Sequence, residues 1–429
     1  MNIFSRIIAK CKNDGFVKAV KDYTKALFDK MKIQEALLSI EKCLPIKKNI
    51  VLECESDMDD NPRAFYEYLL KIGYNKRHKL IWLVKNVEFC KKKYPAKNVV
   101  FLSHYDYSRR NTMKLNYYLA TSKWFIFSHP SWFKKHRKEQ IVVHIGHGHG
   151  FKNLDTQNVD VSSRFDWILV TSEKSSDIQL RFWRCTADKI VFGGYPRIDL
   201  FYCGDKFQIF NSLFEYRKDQ KVIICMPTYK QSTRVNDSDI MERFSIPFIH
   251  NEHEIIDLNG KLSSYNTHMI IKLHPLQIKE NLFLSNFSNI HYVTNDDLLS
   301  KGILLYELVG KCDALITDFS SIYTDFLVLD RPIAFLVENI RNYKRGFLVD
   351  NPEDYMPGQK ISTIDDFIDF IKRIEENVDD YSEDRHKICD YFHHNNHSNN
   401  CEFFFNWLIN SDTFPHQATK IDPKKAIRL

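Results

Sequence analysis

Chemistry is most visible in the stretch VVHIGHGHGFKNL, residues 142–154. An apolar run ends in a loop holding His144, His147 and His149, three glycines and Lys152. Imidazole titrates near neutral pH and suits proton transfer, and glycine lets a backbone approach a ligand closely. His144, His147 and His149 are all candidates for proton transfer. The three histidines, at i, i+3 and i+5, are also spaced to share a metal. No carboxylate or thiol lies nearby in sequence to complete a typical ligand set, so no metal is assigned. A second histidine cluster, HHNNHSNNC at 393–401, precedes the apolar run FFFNWLI and reads as a polar lead-in to a helix.

Two further stretches carry polar groups at the ends of apolar runs. In LITDFSSIYTDFLVLD, residues 315–330, a strand breaks at Thr317-Asp318 and apolar residues resume at Ile322, Phe326 and Leu329, a helical spacing. Asp318, Ser320 and Ser321 therefore fall at a helix start, where backbone N–H groups lack partners. The two serines either cap their own helix or form an anion cradle with those N–H groups. One serine suffices for a cap, and the second is surplus. In KLHP, residues 272–275, His274 closes the strand MIIKL, and Pro275 keeps it extended. It reads as a residue at the carboxyl end of a strand or as a core histidine.

These residues need a scaffold that brings distant strand ends together. Alternating apolar strands and amphipathic helices predict an α/β protein with parallel sheets. Strands are expected at 49–53, 79–84, 99–102, 124–128, 140–145, 167–171 and 190–192, then at 221–226, 268–273, 290–293, 314–317 and 332–337. Helices are expected at 62–73, 112–120, near 175–184, and at 304–311, 321–329, 363–376 and 400–410. The 429 residues exceed one ordinary core, and the expected division is a segment 1–48, domains at 49–215 and 216–410, and a tail at 411–429. Ligands of such sheets sit beyond the carboxyl ends of the strands.

Net charge is +6, and residues 1–48, with 11 Lys/Arg against 5 Asp/Glu, account for all of it. The balanced remainder argues against a nucleic-acid partner. Phe4, Ile8, Val17, Val20 and Leu27 recur at helical spacing opposite lysines. The segment is thus either a basic amphipathic helix on an anionic bilayer or a surface helix packed on its own domain. No apolar stretch is long enough to span a membrane, and no secretory signal is expected. Ten scattered cysteines without a CxxC pair fit reduced thiols in the cytoplasm.

Taken in order from about residue 50 to about 405, the motifs resemble those of the CDP-glycerol glycerophosphotransferase family, enzymes of teichoic acid and capsule polymer synthesis. IGHGHGFK resembles the family's WHGTPLK, GGYPRIDLF its GYPRND, and MPTYK its PTWR. KLHP and TDFSSIYTDFLVLDRPIAF match nearly throughout, YKRGF and MPGQ resemble its closing elements, and DDNPRAFYEYL its first helix. The resemblance implies a GT-B-like fold of two Rossmann-type domains facing a cleft. It implies transfer of a polyol phosphate, glycerol phosphate first, from a CDP-linked donor to an acceptor hydroxyl on a lipid-linked or polymeric acceptor, with release of CMP and no cofactor. It further implies His147 as base, with His274, Ser320, Ser321, Asp318, Lys152, Lys230, Arg197 and Arg234 binding substrate. The family's Thr-Pro becomes His149-Gly150, and its Trp-Arg becomes Tyr229-Lys230. Lysine gives a point charge in place of a fork. The competing readings are a GT-B glycosyltransferase using a nucleotide sugar and a non-catalytic membrane-associated scaffold of a polymer export complex. A peripheral position on the inner face of the cell membrane is expected.

Overall fold

The computed structural model describes residues 43–411, apart from 130–134, 136, 149, 154–161, 228–245, 247, 250, 274–286, 338–339, 341–342, 344–345 and 394–397. The basic segment 1–42 and the tail from 412 lie outside the described residues. Apolar runs in the first half become β1 (Lys47–Glu53), α1 (Asp60–Lys71), β2 (Leu80–Leu83), α2 (Val87–Lys93), β3 (Val99–Leu102), α3 (Arg109–Thr121), β4 (Ser122–Phe127), β5 (Ile141–His144), β6 (Trp167–Val170), α4 (Ser176–Trp183) and β7 (Ile190–Phe192). Every pairing is parallel, in the order β3-β2-β1-β4-β5-β6-β7. A short 3-10 helix, Pro196–Tyr202, and α5 (Lys206–Leu213) lead to the second half.

There the order is β8 (Lys221–Cys225), α6 (Glu252–Ser264), β9 (Thr267–Lys272), β10 (Ile290–Val293), α7 (Asn295–Ser300), α8 (Leu305–Val309), β11 (Ala314–Thr317), α9 (Ile322–Phe326), β12 (Ile333–Leu336), β13 (Gln359–Ile361), α10 (Ile364–Glu375), α11 (Ser382–Phe392) and α12 (Asn400–Ile409). Its sheet is also parallel, ordered β10-β9-β8-β11-β12-β13. Strand order reverses between β1 and β4 and again between β8 and β11. Those are the places where a parallel sheet opens a crevice at its carboxyl edge. Strands β2, β11 and β12 are buried along their whole length, which is why they read as mostly apolar runs.

One apolar cluster joins the halves, running from Ile50 and Leu52 through Phe151 and Phe201 to Tyr323 and Phe335. The last helix, α12, falls within the expected second domain but packs on the first. Phe404 meets Phe65 edge-on at 4.8 Å and Trp407 meets Trp167 at 5.7 Å. Its unpaired N-terminal N–H groups, those of Asn400 and Cys401, donate to the Asp199 carboxylate at 2.9 and 2.8 Å. Among the described residues no helix is long and apolar enough to cross a membrane.

Candidate active site

The loop after β5 carries His147 between two glycines with positive φ, +72° at Gly146 and +135° at Gly148. A Cβ on Gly146 would lie 2.5 Å from the Tyr195 ring, and one on Gly148 would lie 2.5 Å from Ser321 Oγ. Glycine is thus required on both sides of His147 for steric reasons. The second contact sets the histidine loop directly against the serine turn of the other half.

His147 Nδ1 lies 2.8 Å from Asp60 Oδ2. An ionised carboxylate only accepts, so Nδ1 carries the proton and the lone pair sits on Nε2. The ring is 63% exposed although protein surrounds it on most sides, as for a group lining a cleft. The hydrogen bond to Asp60 and that residue's charge hold the imidazole pKa above its ordinary 6.5, against the effect of burial. Asp60 starts α1 in the left-handed region, φ +61°, just after the N-cap Asp59. Burial pushes its carboxyl up, but the Arg197 and His147 charges outweigh it and hold it well below the usual value. Asn61, fully buried, donates to the carbonyls of Ile145 and Gly146 at 3.0 and 3.1 Å and accepts from the Arg197 N–H at 3.0 Å. The start of α1 therefore fixes both the His147 loop and the Arg197 turn.

Arg197 is buried, and its guanidinium spans the two halves. It donates to Asp60 Oδ1 at 2.6 Å and to the His147 carbonyl at 3.1 Å. Its Nε and other amino group reach Asp325 Oδ2 at 3.0 and 2.6 Å, and the Tyr306 hydroxyl donates to that same oxygen at 2.6 Å. The expectation that Arg197 binds substrate meets a residue already committed to two carboxylates.

Beyond β11, Asp318 Oδ1 accepts the Ser320 N–H at 2.9 Å and so shapes the turn. Ser321 occupies the N-cap position but makes no side-chain cap bond, so its hydroxyl does not serve the helix. Helix α9 is short: it ends at Phe326 and passes into a 3-10 turn through Leu329. The expected helix over 321–329 is thus only partly α-helical, and a five-residue dipole adds less to an anion site than hydroxyls and N–H groups do. Lys152 Nζ stands 5.1 Å from the centre of the Phe319 ring, beside the same turn. Phe151–Asn153 pairs across the cleft with Gly346–Leu348 of the YKRGF stretch, Asn153 N donating to Gly346 O and Leu348 N to Phe151 O.

His144 is not placed to exchange protons with a ligand. It is 2% exposed and packs 4.1 Å from Trp183, its Nδ1 accepts the Gly146 N–H, and burial lowers its pKa to about 3. Strand alternation sends it into the core while the next turn sends His147 outward. His393 of the second cluster is buried and hydrogen-bonds the Thr324 carbonyl at 2.7 Å, a structural contact. His149, His274, Lys230 and Arg234 lie outside the described residues. Among the described residues no group of three His, Cys, Asp or Glu is placed to hold a metal. Asp60, Asp325 and Tyr306 were not read from sequence as site residues. The one available signal was an acidic pair, Asp59-Asp60, ahead of a helix just beyond β1.

The family model for CDP-glycerol:poly(glycerophosphate) glycerophosphotransferase matches residues 36–407. The chain is 27% identical over 342 residues to a teichoic acid poly(glycerol phosphate) polymerase of Bacillus spizizenii, covering 73% of this chain and 79% of that one. It is 26% identical over 375 residues to a teichoic acid glycerol-phosphate transferase of Staphylococcus aureus, covering 80% and 88%. Its fold matches that of the wall teichoic acid polymerase TagF with a TM-score of 0.71 at 20% identity, covering 92% of this chain and 96% of that one. Parallel sheets, ordered motifs and the family match over most of its length agree: the chain belongs to the CDP-glycerol:poly(glycerophosphate) glycerophosphotransferase family.

Proposed function

We propose that this enzyme transfers glycerol phosphate from CDP-glycerol to an acceptor hydroxyl and releases CMP. One observation carries the site assignment: Gly148 sets the His147 loop against Ser321, so a base and an anion cradle meet at one point of the cleft. His147 Nε2 takes the acceptor O–H proton. The acceptor oxygen bonds to the glycerol-bearing phosphorus, and the bond from that phosphorus to the bridging oxygen breaks, leaving CMP with the bridging oxygen and its electron pair. Asp60 holds the ring and stabilises the imidazolium. Ser320, Ser321 and the N–H groups of their turn hold the donor diphosphate, with Lys152 beside them. Asp318 shapes that turn, and Arg197 positions Asp60. His274, Lys230 and Arg234 are assigned to the donor side from sequence. A base contributes roughly 10²–10⁴-fold, so alignment and charge stabilisation supply most of the acceleration.

The acceptor is a polyol-phosphate polymer or its lipid-linked primer, met at the inner membrane surface, in teichoic acid or capsule synthesis. The basic segment 1–48 supports that placement, since each cation near an anionic surface contributes about 1 kcal/mol. The test is a panel of CDP-glycerol, CDP-ribitol and a UDP-sugar, scoring nucleotide release with and without acceptor. CMP release from CDP-glycerol is expected, and His147→Ala abolishes turnover while donor binding survives. UDP release from the sugar nucleotide alone would overturn the assignment.

A further inference from the structure

Lys272 is the last residue of β9, paired in register with Val293 of β10. It is 9% exposed, and the face it takes follows from alternation: Ile270 lies in the apolar cluster that joins the two halves, while Met269, Ile271 and Leu273 lie in the cluster on the opposite face. The Lys272 side chain thus leaves the sheet on the side of the first half, at the carboxyl edge where ligands of parallel sheets bind. Its ammonium donates to the Leu273 carbonyl at 2.8 Å. No ion pair within 4 Å joins it to a carboxylate among the described residues. An ammonium group has three donors, and burying it without a counter-charge is costly.

The surroundings are defined. Asp59, at the start of α1, acts on Lys272 from across the cleft, and Asp296 and Asp297 act from α7. Asp297 is engaged in its own capping box with Thr294, and Asp296 is exposed. Asp59 also feels His147, so the Lys272 ammonium and the His147 ring both lie within electrostatic reach of the start of α1. Burial lowers the Lys272 pKa to about 8 despite those three carboxylates.

We propose that Lys272 is a phosphate-binding residue whose ammonium meets the diphosphate of the nucleotide donor at the carboxyl end of β9. This rests on the donor class proposed above. The ligand supplies the contact counter-charge that no described carboxylate places within 4 Å, and the two remaining donors of the ammonium are available to phosphoryl oxygens.

The test is Lys272→Met and Lys272→Arg in the full chain, read by thermal unfolding without ligand and by calorimetric titration with CDP-glycerol. Methionine fills the same space without charge. It should raise Tm, because a buried unpaired cation is removed, while weakening CDP-glycerol binding about ten- to hundredfold. Between pH 7 and 9 wild-type affinity should fall as the ammonium deprotonates, and Lys272→Arg should bind with little pH dependence. A Lys272→Met variant that melts below wild type and binds CDP-glycerol equally well overturns the inference, since the lysine would then serve the carboxylates around it. If the wild type binds no CDP-glycerol, the donor assignment fails separately. Lys272 is then judged by the same Tm criterion, which needs no ligand, and a lowered Tm ends it.

Discussion

A carboxylate fixes the tautomer of any imidazole it touches, and Asp60 does this to His147 at 2.8 Å. The raised imidazole pKa makes it a stronger base that is neutral only at higher pH. The acid limb of kcat/KM should therefore lie above pH 6.5, with activity rising as the ring loses its proton. Asp60→Asn keeps the shape, and asparagine tolerates the left-handed backbone at this position. The variant should lower the plateau on the order of 10²-fold and move the acid limb down toward about 6.5. An unmoved limb in the pH profile would separate Asp60 from the base. His147 was singled out because its loop, IGHGHGFK, resembles the family's WHGTPLK. Its partner was not, because Asp60 stands 87 positions away and looks like one more acid in a helix start.

At the scale of elements, the loop after β5 and the turn after β11 work only if they approach closely. Gly148 is where that approach is made, with φ +135° and a would-be Cβ 2.5 Å from Ser321 Oγ. Gly148→Ala should cost about 1–3 kcal/mol in backbone strain and, by shifting the loop about 1 Å, around 10²-fold in kcat. Gly302→Ala is the control: its φ is +71° and nothing lies within 4 Å of the added carbon, so it should destabilise without lowering kcat in steady-state assays. The strands other than β13 were legible in the sequence because burial on both faces leaves apolar runs such as LIWL and ALIT, whereas in β13, QKI, only Ile361 is fully buried. Helices α2 and α11 were not, because few of their residues are buried: Cys90 in the first, Arg385, Cys389 and Phe392 in the second. The length of α9 was overestimated because the stripe Ile322, Phe326, Leu329 continues through a 3-10 turn that buries a similar face.

Among the described residues, the two halves are held by apolar contact and by a buried charged link, Asp60–Arg197–Asp325, with Tyr306 on its far end. Nothing in GGYPRIDLF announces that Arg197 turns toward the other half while Asp199, two residues on, caps α12. That division of labour depends on tertiary neighbours more than 100 positions away. Arg197 joins the carboxylate that holds His147 to the helix that follows the serine turn, so on the proposed assignment it sets the distance between base and cradle. Arg197→Met leaves two buried carboxylates without their cation, and removing one partner of such a link costs about 3–5 kcal/mol. Adding Asp325→Asn removes one of those charges and should recover much of the lost Tm. Turnover should not recover with it, because the contacts to Asp60 and to the His147 carbonyl remain absent and the base is no longer registered against the serines. Measured together, Tm and kcat should thus separate in the double variant. Full recovery of both would reduce Arg197 to a structural pin and leave the spacing of the site to the apolar interface alone.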